Sequence, residues 1–524
     1  MDLSYMLRRA ALEYSAHIAV SDGIRAMTFG QVHDRGSRLA NALSGNGLAQ
    51  GDRVAILLRN RVEYAEIDVG LACGGFVRVA LNVRLSVHDF SYCLADCNVR
   101  ALITDSSFDE VAAELAARHG LVWLRMGTGS TPPGALDYEA ALARASGAPS
   151  GHGDLTDAAA WFSYTSGTTG RPKGVVLSHR ALGQVIINLA LEFGPFSDQA
   201  SFLFPQPLSH GAGYFQLACL ATGTTSYVME SFDPEKCIDL GRRHGIRTLK
   251  LVPTMLSALV DLNVPVPFDS VVYGASPIAP GVLDRALDQM GPRLMQGYGQ
   301  SEAPCTITVL RKHEHLGDNE SRFSAGRPWR TVEVAVVDPE GQRLPAGEQG
   351  ELIVKAPQVM EGYHNLPAET AEVLRDGWLW TKDLARMDDQ GFVYLLGRRD
   401  QMIITGGFNL APAEVELVVG QHPSVKECVA FGVPDERWGQ AVAVAITSNE
   451  AARPDADAII EFARERLGFR RPRYVYLIDS IPYSAYGKVD RARLMARIVA
   501  DSTDAGAQPG AQISDGSGQI SDGS

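Results

Sequence analysis

The 524-residue sequence is poor in the features that would mark a secreted, membrane-spanning or nucleic-acid-binding chain. Its cysteines (73, 93, 97, 219, 237, 305 and 428) are odd in number and scattered. Cys93 and Cys97 form a C-x3-C with no second pair and no histidine cluster nearby, which excludes a zinc site and predicts free thiols in a reducing cytoplasm. Positive charge is in deficit: 48 Lys and Arg face 61 Asp and Glu, a formal charge of −13. That balance argues against a nucleic-acid partner and against an anchor on an anionic membrane, although a local positive cleft is compatible with it. No uninterrupted apolar run approaches the ~18 residues of a spanning helix, so no membrane insertion is expected. The opening MDLSYMLRRAALEYSAHIAV is amphipathic and does not read as a signal peptide.

What is present is an ordinary globular composition, 45% hydrophobic and 21% charged, in a chain too long for one core. Strand and helix signals alternate early: strands at Arg53–Leu58, Phe76–Leu81 and Ala101–Asp105, helices at Val62–Cys73 and Val87–Ala95. This βαβαβ pattern predicts a parallel sheet wrapped by helices. A second such alternation runs from Arg180 to Tyr298, with strands near Phe202–Phe204, Thr225–Met229, Thr248–Leu251 and Ser270–Tyr273. From Val332 to Val354 the pattern becomes hairpin-linked strands and predicts a barrel-like unit. After Gly407 a compact α+β stretch is expected, with helices at Pro412–Gln421 and Asp457–Leu467 and strands at Val425–Gly432 and Gln440–Thr447. Beyond Asp501 the chain repeats QISDGS and lacks the apolar residues of a core, so disorder is expected there.

The segment YTSGTTGRPKG, Tyr164 to Gly174, concentrates glycine, hydroxyl groups and one lysine. Glycine lets backbone N–H groups turn inward, and Ser, Thr and Lys donate without adding negative charge, so the composition suits a polyanion. Lys173 is followed by Gly174, which rules out a Walker A loop. A lone glycine-rich loop is also compatible with a plain strand-to-helix turn.

This segment resembles the phosphate loop of the adenylate-forming superfamily: acyl- and aryl-CoA synthetases, luciferases and peptide-synthetase adenylation domains. Further segments similar to that family's motifs follow in order: YGAS at 273–276, YGQSE at 298–302, DGWLWTKD at 376–383, GRRD at 397–400 and SAYGKVDR at 484–491. The resemblance covers about residues 10–499. It implies an α/β fold: a large N-terminal domain (1–399) of two doubly wound α/β subdomains and a distorted β-barrel, a small α+β C-terminal domain (400–500) that rotates on a hinge at Asp400, and a tail at 501–524.

The implied substrates are ATP, coenzyme A and a small carboxylic acid, with Mg²⁺ as cofactor. ATP or AMP would be held by Thr165, Ser166, Gly167, Thr168, Thr169, Gly170 and Lys173, by Gly274, Ala275, Ser276, Gly297, Tyr298, Gly299 and Ser301, and by Asp383, Arg398 and Lys488. Lys173 either binds the departing diphosphate or caps the loop. Glu302 would bind the metal, and Lys488 would serve adenylation. His210 is read either as a group between the acyl and nucleotide sites or as a satisfied core histidine. The acyl pocket would be lined by His210, Gly211, Phe215, Gly274, Gly297 and Cys305, with Ile307 adding apolar surface. Its small residues (Gly211, Ala212, Gly213, Gly274, Ala275, Gly297) suggest a wide cavity. No aspartate lies between Pro205 and Leu220, which disfavours an amino acid and favours a hydrophobic acid: aromatic, polycyclic or fatty. The coenzyme would pass Gly406 and Gly407, with Trp438 and Phe469 stacking and Arg471 and Arg473 on phosphates. Lys382 stands where the family usually has glycine, and either a surface ion pair or an approach to a phosphate is open. A homodimer is also left open. The competing readings are an acyl-AMP ligase that loads a carrier protein, and a non-catalytic nucleotide or acyl-CoA binding protein.

Overall fold

The computed structural model describes residues 2–149, 153–165, 172–316, 320–405, 408–435, 438–449, 454–484 and 489–504, without the side chains of 400, 408, 409, 469 and 499–504. The predicted βαβαβ run forms the middle of an eight-stranded sheet ordered Gly362–Tyr363, Lys173–Ser178, Ala159–Thr165, Val77–Ala80, Arg53–Leu57, Val99–Asp105, Val122–Met126, Ala135–Asp137. The three central strands of that run are parallel. Each carries a nearly unbroken apolar stretch because helices cover both faces.

The second alternation forms a nine-stranded sheet in which Ser201–Phe204, Thr225–Val228, Thr248–Leu251, Ser270–Gly274 and Leu294–Gln300 run parallel. Ile18–Ser21 and then Ala26–Thr28 extend one end of it, the first pairing in parallel with Thr225–Val228. The N-terminus therefore ties the second subdomain to the first, a long-range pairing that local periodicity does not reveal. Between the sheets lies the helix Glu63–Gly74, buried at every position. It approaches the helix Phe29–Gly45 so closely that a Cβ on Gly70 would lie 2.7 Å from the Gly36 carbonyl oxygen. Its acidic residues are matched: Arg61 holds Glu63, Arg35 holds Glu66 and Arg78 holds Asp68.

The hairpin-linked stretch is an antiparallel five-stranded sheet built on Glu333–Val337, Gln349–Lys355 and Trp378–Met387. A last five-stranded sheet, centred on Val425–Asp435 and Gly439–Ser448, carries the helices Pro412–Val419 and Ala456–Leu467. It touches the rest of the chain through Lys426, whose Nζ lies 3.0 Å from Asp261, and through Gln349, which donates to Glu414 at 2.9 Å. No helix among the described residues is long and apolar enough to cross a membrane. The expected tail begins with the end of the helix Arg491–Asp504, and residues 505–524 lie outside the described residues.

Candidate active site

The strand Ala159–Thr165 returns as the antiparallel strand Lys173–Ser178, with Thr165 opposite Lys173. The glycine-rich segment therefore connects two antiparallel strands, and the element that follows it is a strand and not a helix. Ser166, Gly167, Thr168, Thr169 and Gly170 lie outside the described residues. The hairpin is anchored below its tip: the buried Tyr164 hydroxyl donates to Asp96 at 2.7 Å. Gly174 leaves room for that ring, since a Cβ there would meet it at 3.2 Å.

Beside the hairpin, Lys173 places its ammonium 5.2 Å from the centre of the Tyr363 ring. The Tyr363 hydroxyl donates to Glu302 at 2.7 Å. Burial, with the Glu302 carboxylate next to it, raises the Tyr363 pKa, so this donor keeps its proton. Glu302 sits in the turn joining Leu294–Gln300 to the antiparallel strand Ala303–Leu310, directly after Ser301. Tyr363 gives no signal in the sequence, since a lone tyrosine in a two-residue strand carries no periodicity.

Asp383 is the most heavily coordinated of the predicted residues. Its carboxylate accepts from Tyr298 Oη and Gln300 Nε2, both at 2.6 Å, and pairs with Arg398 Nε at 2.8 Å. Tyr298 and Gln300 come from one sheet; Asp383 and Arg398 face each other across the strands Trp378–Met387 and Val393–Arg398 of another. Lys382 adopts φ of 61°, the left-handed conformation that glycine occupies without strain. Its ammonium pairs with Glu372 at 2.8 Å, a bond that lowers the Glu372 pKa, while its backbone N–H donates to Glu351. The surface ion pair is the alternative observed. Gly274 ends the strand Ser270–Gly274 beside Gly297, and Ala275 follows with φ of 75°. Ser276 continues the same turn.

His210 precedes the helix Gly211–Thr222. The approach to it is clamped: Asn60 donates to the Gln206 carbonyl at 2.6 Å and accepts from the Leu208 N–H at 2.8 Å. Arg78 donates to the Leu208 carbonyl at 2.9 Å and to Asp68 at 2.6 Å, and lies over the Trp161 ring at 3.9 Å. Burial, reinforced by Arg78 and Arg84, lowers the His210 pKa to about 4, so the imidazole is neutral at pH 7.

The small residues near it do not open a wide cavity. A Cβ on Gly213 would fall 2.3 Å from the Leu208 carbonyl, one on Gly274 2.3 Å from the Gly297 carbonyl, and one on Gly297 3.0 Å from Phe193. At these three positions neighbouring backbone or a core ring already occupies the space. Gly211 alone faces room, with Cys305 Sγ nearest at 3.9 Å. Phe215 packs against Phe193 and Phe202, and Ile307 is buried in the same core. Nor is the surround wholly apolar: Lys250 extends its ammonium to 5.3 Å from the Phe215 ring. A lysine flanked by leucines in a parallel-sheet strand was the available signal, and the strand assignment alone passed over it.

In the last sheet Arg473 stacks its guanidinium on Trp438, 4.8 Å from the ring centre. Arg471 lies just beyond the short turn Gly468–Arg470. The Phe469 and Asp400 side chains, Gly406, Gly407 and Lys488 lie outside the described residues. The frame around Lys488 is described: Tyr483 and Val489 bridge in antiparallel fashion, Tyr483 donates to Glu427 at 2.7 Å, and Arg491 pairs with Glu416 at 3.0 Å.

Family models match in two places: "AMP-binding enzyme" over residues 7–364 and "AMP-binding enzyme C-terminal domain" over 414–488. The chain is 36% identical over 498 residues to a medium/long-chain-fatty-acid–CoA ligase, FadD8, of Mycobacterium tuberculosis, covering 91% of this chain and 86% of the relative. It is 35% identical over 505 residues to a feruloyl-CoA synthase of an Amycolatopsis species, covering 94% and 98%. Its structure resembles that of the amide bond synthetase McbA from Marinactinospora thermotolerans, with a TM-score of 0.86 at 29% identity over 94% of this chain and 99% of the other. With its hairpin loop, its Asp383 cluster and these matches along nearly its whole length, the chain belongs to the AMP-binding enzymes, in the adenylate-forming family of acyl- and aryl-CoA synthetases, and is an acid–thiol ligase by class.

Proposed function

We infer that the protein couples a hydrophobic carboxylic acid to coenzyme A in two steps at one cleft. A carboxylate oxygen attacks the α-phosphorus of ATP, forming acyl-AMP and releasing diphosphate. The thiol sulfur of coenzyme A then attacks the acyl carbon, the bond to AMP breaks, and the thiol proton is lost. The observation that carries this reading is the Asp383 cluster. Three donors from two sheets fix the orientation of one carboxylate, Tyr298 and Gln300 on Oδ2 and Arg398 on Oδ1, where a ribose hydroxyl would be accepted.

Both reactants of the first step are anionic, and like charges at ~4 Å repel by about 1 kcal/mol in water and several-fold more where water is excluded. Donors near the hairpin tip must offset this. Lys173 and Thr165 flank the glycine-rich segment, and the resemblance adds the segment's own donors, Ser301 on the α-phosphate and Lys488 for the attack. Glu302, a single carboxylate steadied by Tyr363, would hold Mg²⁺ that arrives with the nucleotide's phosphates. No group of three or more His, Cys, Asp or Glu among the described residues would hold a metal without them. When bound, the ion would neutralise charge on the phosphate oxygens.

Coenzyme A as acceptor is supported by Trp438 and Arg473, whose stacked faces offer both an aromatic platform and a phosphate partner. The relatives named for a fatty acid and for a feruloyl group support a hydrophobic acid. Two nucleophiles must reach one site in turn. We take residues 1–399 as the body and 400–500 as a unit that swings about Asp400, withdrawing Lys488 and presenting Gly406 and Gly407. Likeness to an amide bond synthetase keeps an amine acceptor as the second reading.

A carboxylic-acid panel followed by diphosphate release, with and without coenzyme A, tests the overall reaction. Lys488→Ala is expected to abolish acyl-AMP formation while thioester formation from supplied acyl-AMP persists; equal loss of both contradicts the split roles. Arg473→Ala should raise the KM for coenzyme A about tenfold with that for ATP unchanged, and an unaltered coenzyme KM would remove the acceptor assignment.

A further inference from the structure

Lys250 lies in the strand Thr248–Leu251, in register with Val272 of the strand Ser270–Gly274, whose end carries Gly274 of the predicted pocket. The residue is 6% exposed. Its ammonium donates to the Leu251 carbonyl at 3.3 Å, a long bond to its own neighbour, and otherwise faces the ring of Phe215. Cys305, whose Sγ is the nearest atom to the open face of Gly211, is close enough to act on it electrostatically. Among the described residues no carboxylate lies within 4.0 Å of it, and burial lowers its pKa to about 8.

Such a site is costly in the free protein. A cation removed from water needs a countercharge or several acceptors, and buried lysines in folded proteins are otherwise paired. An ammonium has three donors; one weak carbonyl contact and an aromatic face leave capacity over. Its neighbours Phe215 and Cys305 are residues placed in the acyl pocket, so the unmet donor capacity sits where the acyl chain would lie.

We propose that Lys250 is a specificity-determining residue that binds an oxygen at the end of the acyl substrate remote from the activated carboxylate, so that the preferred acid carries an apolar middle and a distal carboxylate or hydroxyl. This rests on the ligase reading above. An apolar acid alone would leave the ammonium desolvated with only the long Leu251 contact, whereas a distal oxygen supplies a further acceptor; a distal carboxylate also supplies the countercharge. Discrimination follows from the general rule that a site built to hydrogen-bond rejects analogues lacking the partner far more strongly than an apolar pocket rejects an added group.

The experiment compares matched acids: octanoic against suberic, and cinnamic against 4-hydroxycinnamic, by ATP–diphosphate exchange with the full-length wild type and with Lys250→Met. Wild type should favour one oxygenated acid over its parent by at least about tenfold in kcat/KM, and the variant should lose that preference. Which pair shows the effect separates a carboxylate from a hydroxyl. For a distal carboxylate, the wild-type preference should also fall as pH rises through about 8, where the ammonium loses its proton. Exchange with parent acids and no preference for the oxygenated ones overturns this proposal and leaves the ligase reading standing. A preference that survives in Lys250→Met overturns it equally. Exchange with no acid in either series removes the ligase reading and this proposal with it. Should the variant fail to fold, the wild-type preference alone decides.

Discussion

Two buried cations, each on a strand of a large sheet, have opposite surroundings. Arg78 is almost wholly enclosed and has a countercharge: Asp68 pairs with its Nε, the Leu208 carbonyl accepts from Nη2, and the Trp161 ring lies against its face. Lys250 is as deeply placed and has one long carbonyl contact and a ring. The first arrangement fixes a loop, because the bond to Leu208 sets the entry to His210. The second leaves its electrostatics incomplete. A buried charge that the chain satisfies by itself supports the structure, while one that it leaves without a countercharge points to where a ligand supplies the missing group.

Removing each partner tests the contrast, and the largest effect should fall on Arg78. Asp68→Asn leaves an uncompensated buried guanidinium and should cost about 3–5 kcal/mol of stability, measured by denaturant unfolding. A loss under ~1 kcal/mol would mean that the carbonyl and the Trp161 ring suffice, and the comparison would fail. Lys250→Met should act in the opposite direction. Folding lowers the lysine pKa from 10.5 to about 8, so the unfolded chain binds more protons in that interval and wild-type stability gains as pH rises through it. The variant should therefore be the more stable by up to about 3 kcal/mol at pH 7, with the gap closing from pH 8 towards 10.5. A gap independent of pH would show that the ammonium already has an adequate partner. The smallest effect belongs to Lys382, a cation at the surface. Lys382→Gly relieves a left-handed backbone and removes an exposed ion pair, so a net gain of at most about 1 kcal/mol is expected in thermal unfolding. A loss above that would assign the Glu372 pair a structural role.

The nucleotide side of the site was far more legible in the sequence than the acyl side. Asp383, Arg398, Tyr298 and Glu302 sit in contiguous motifs whose order along the chain survives, and the structure brings Tyr298, Asp383 and Arg398 into direct contact. Strands read from apolar runs, such as Thr248–Leu251, matched because helices bury both faces of a parallel sheet. The residues assigned to the acyl pocket come from the start of one helix and from single positions on separate strands. Smallness at Gly274 and Gly297 reports close approach of strands, which a one-dimensional reading takes for empty space. Tyr363 and Lys250 acquire meaning only from what the fold sets against them, a carboxylate in one case and a bare aromatic ring in the other. The place of the strand Ile18–Ser21 in the second sheet was hidden for the same reason, since its parallel partner lies about 200 residues away.

The central claim is that this cleft holds a nucleotide's ribose on Asp383 while an acid attacks the α-phosphorus. Exchange of labelled diphosphate into ATP, measured with Mg²⁺ and a broad set of carboxylic acids, tests it directly in wild type and in Asp383→Ala. The account predicts acid-dependent exchange in the wild type and a fall of at least about a hundredfold in the variant, chiefly through a raised KM for ATP. Wild-type protein that exchanges no label with any acid, or a variant that exchanges as fast as wild type, would contradict it.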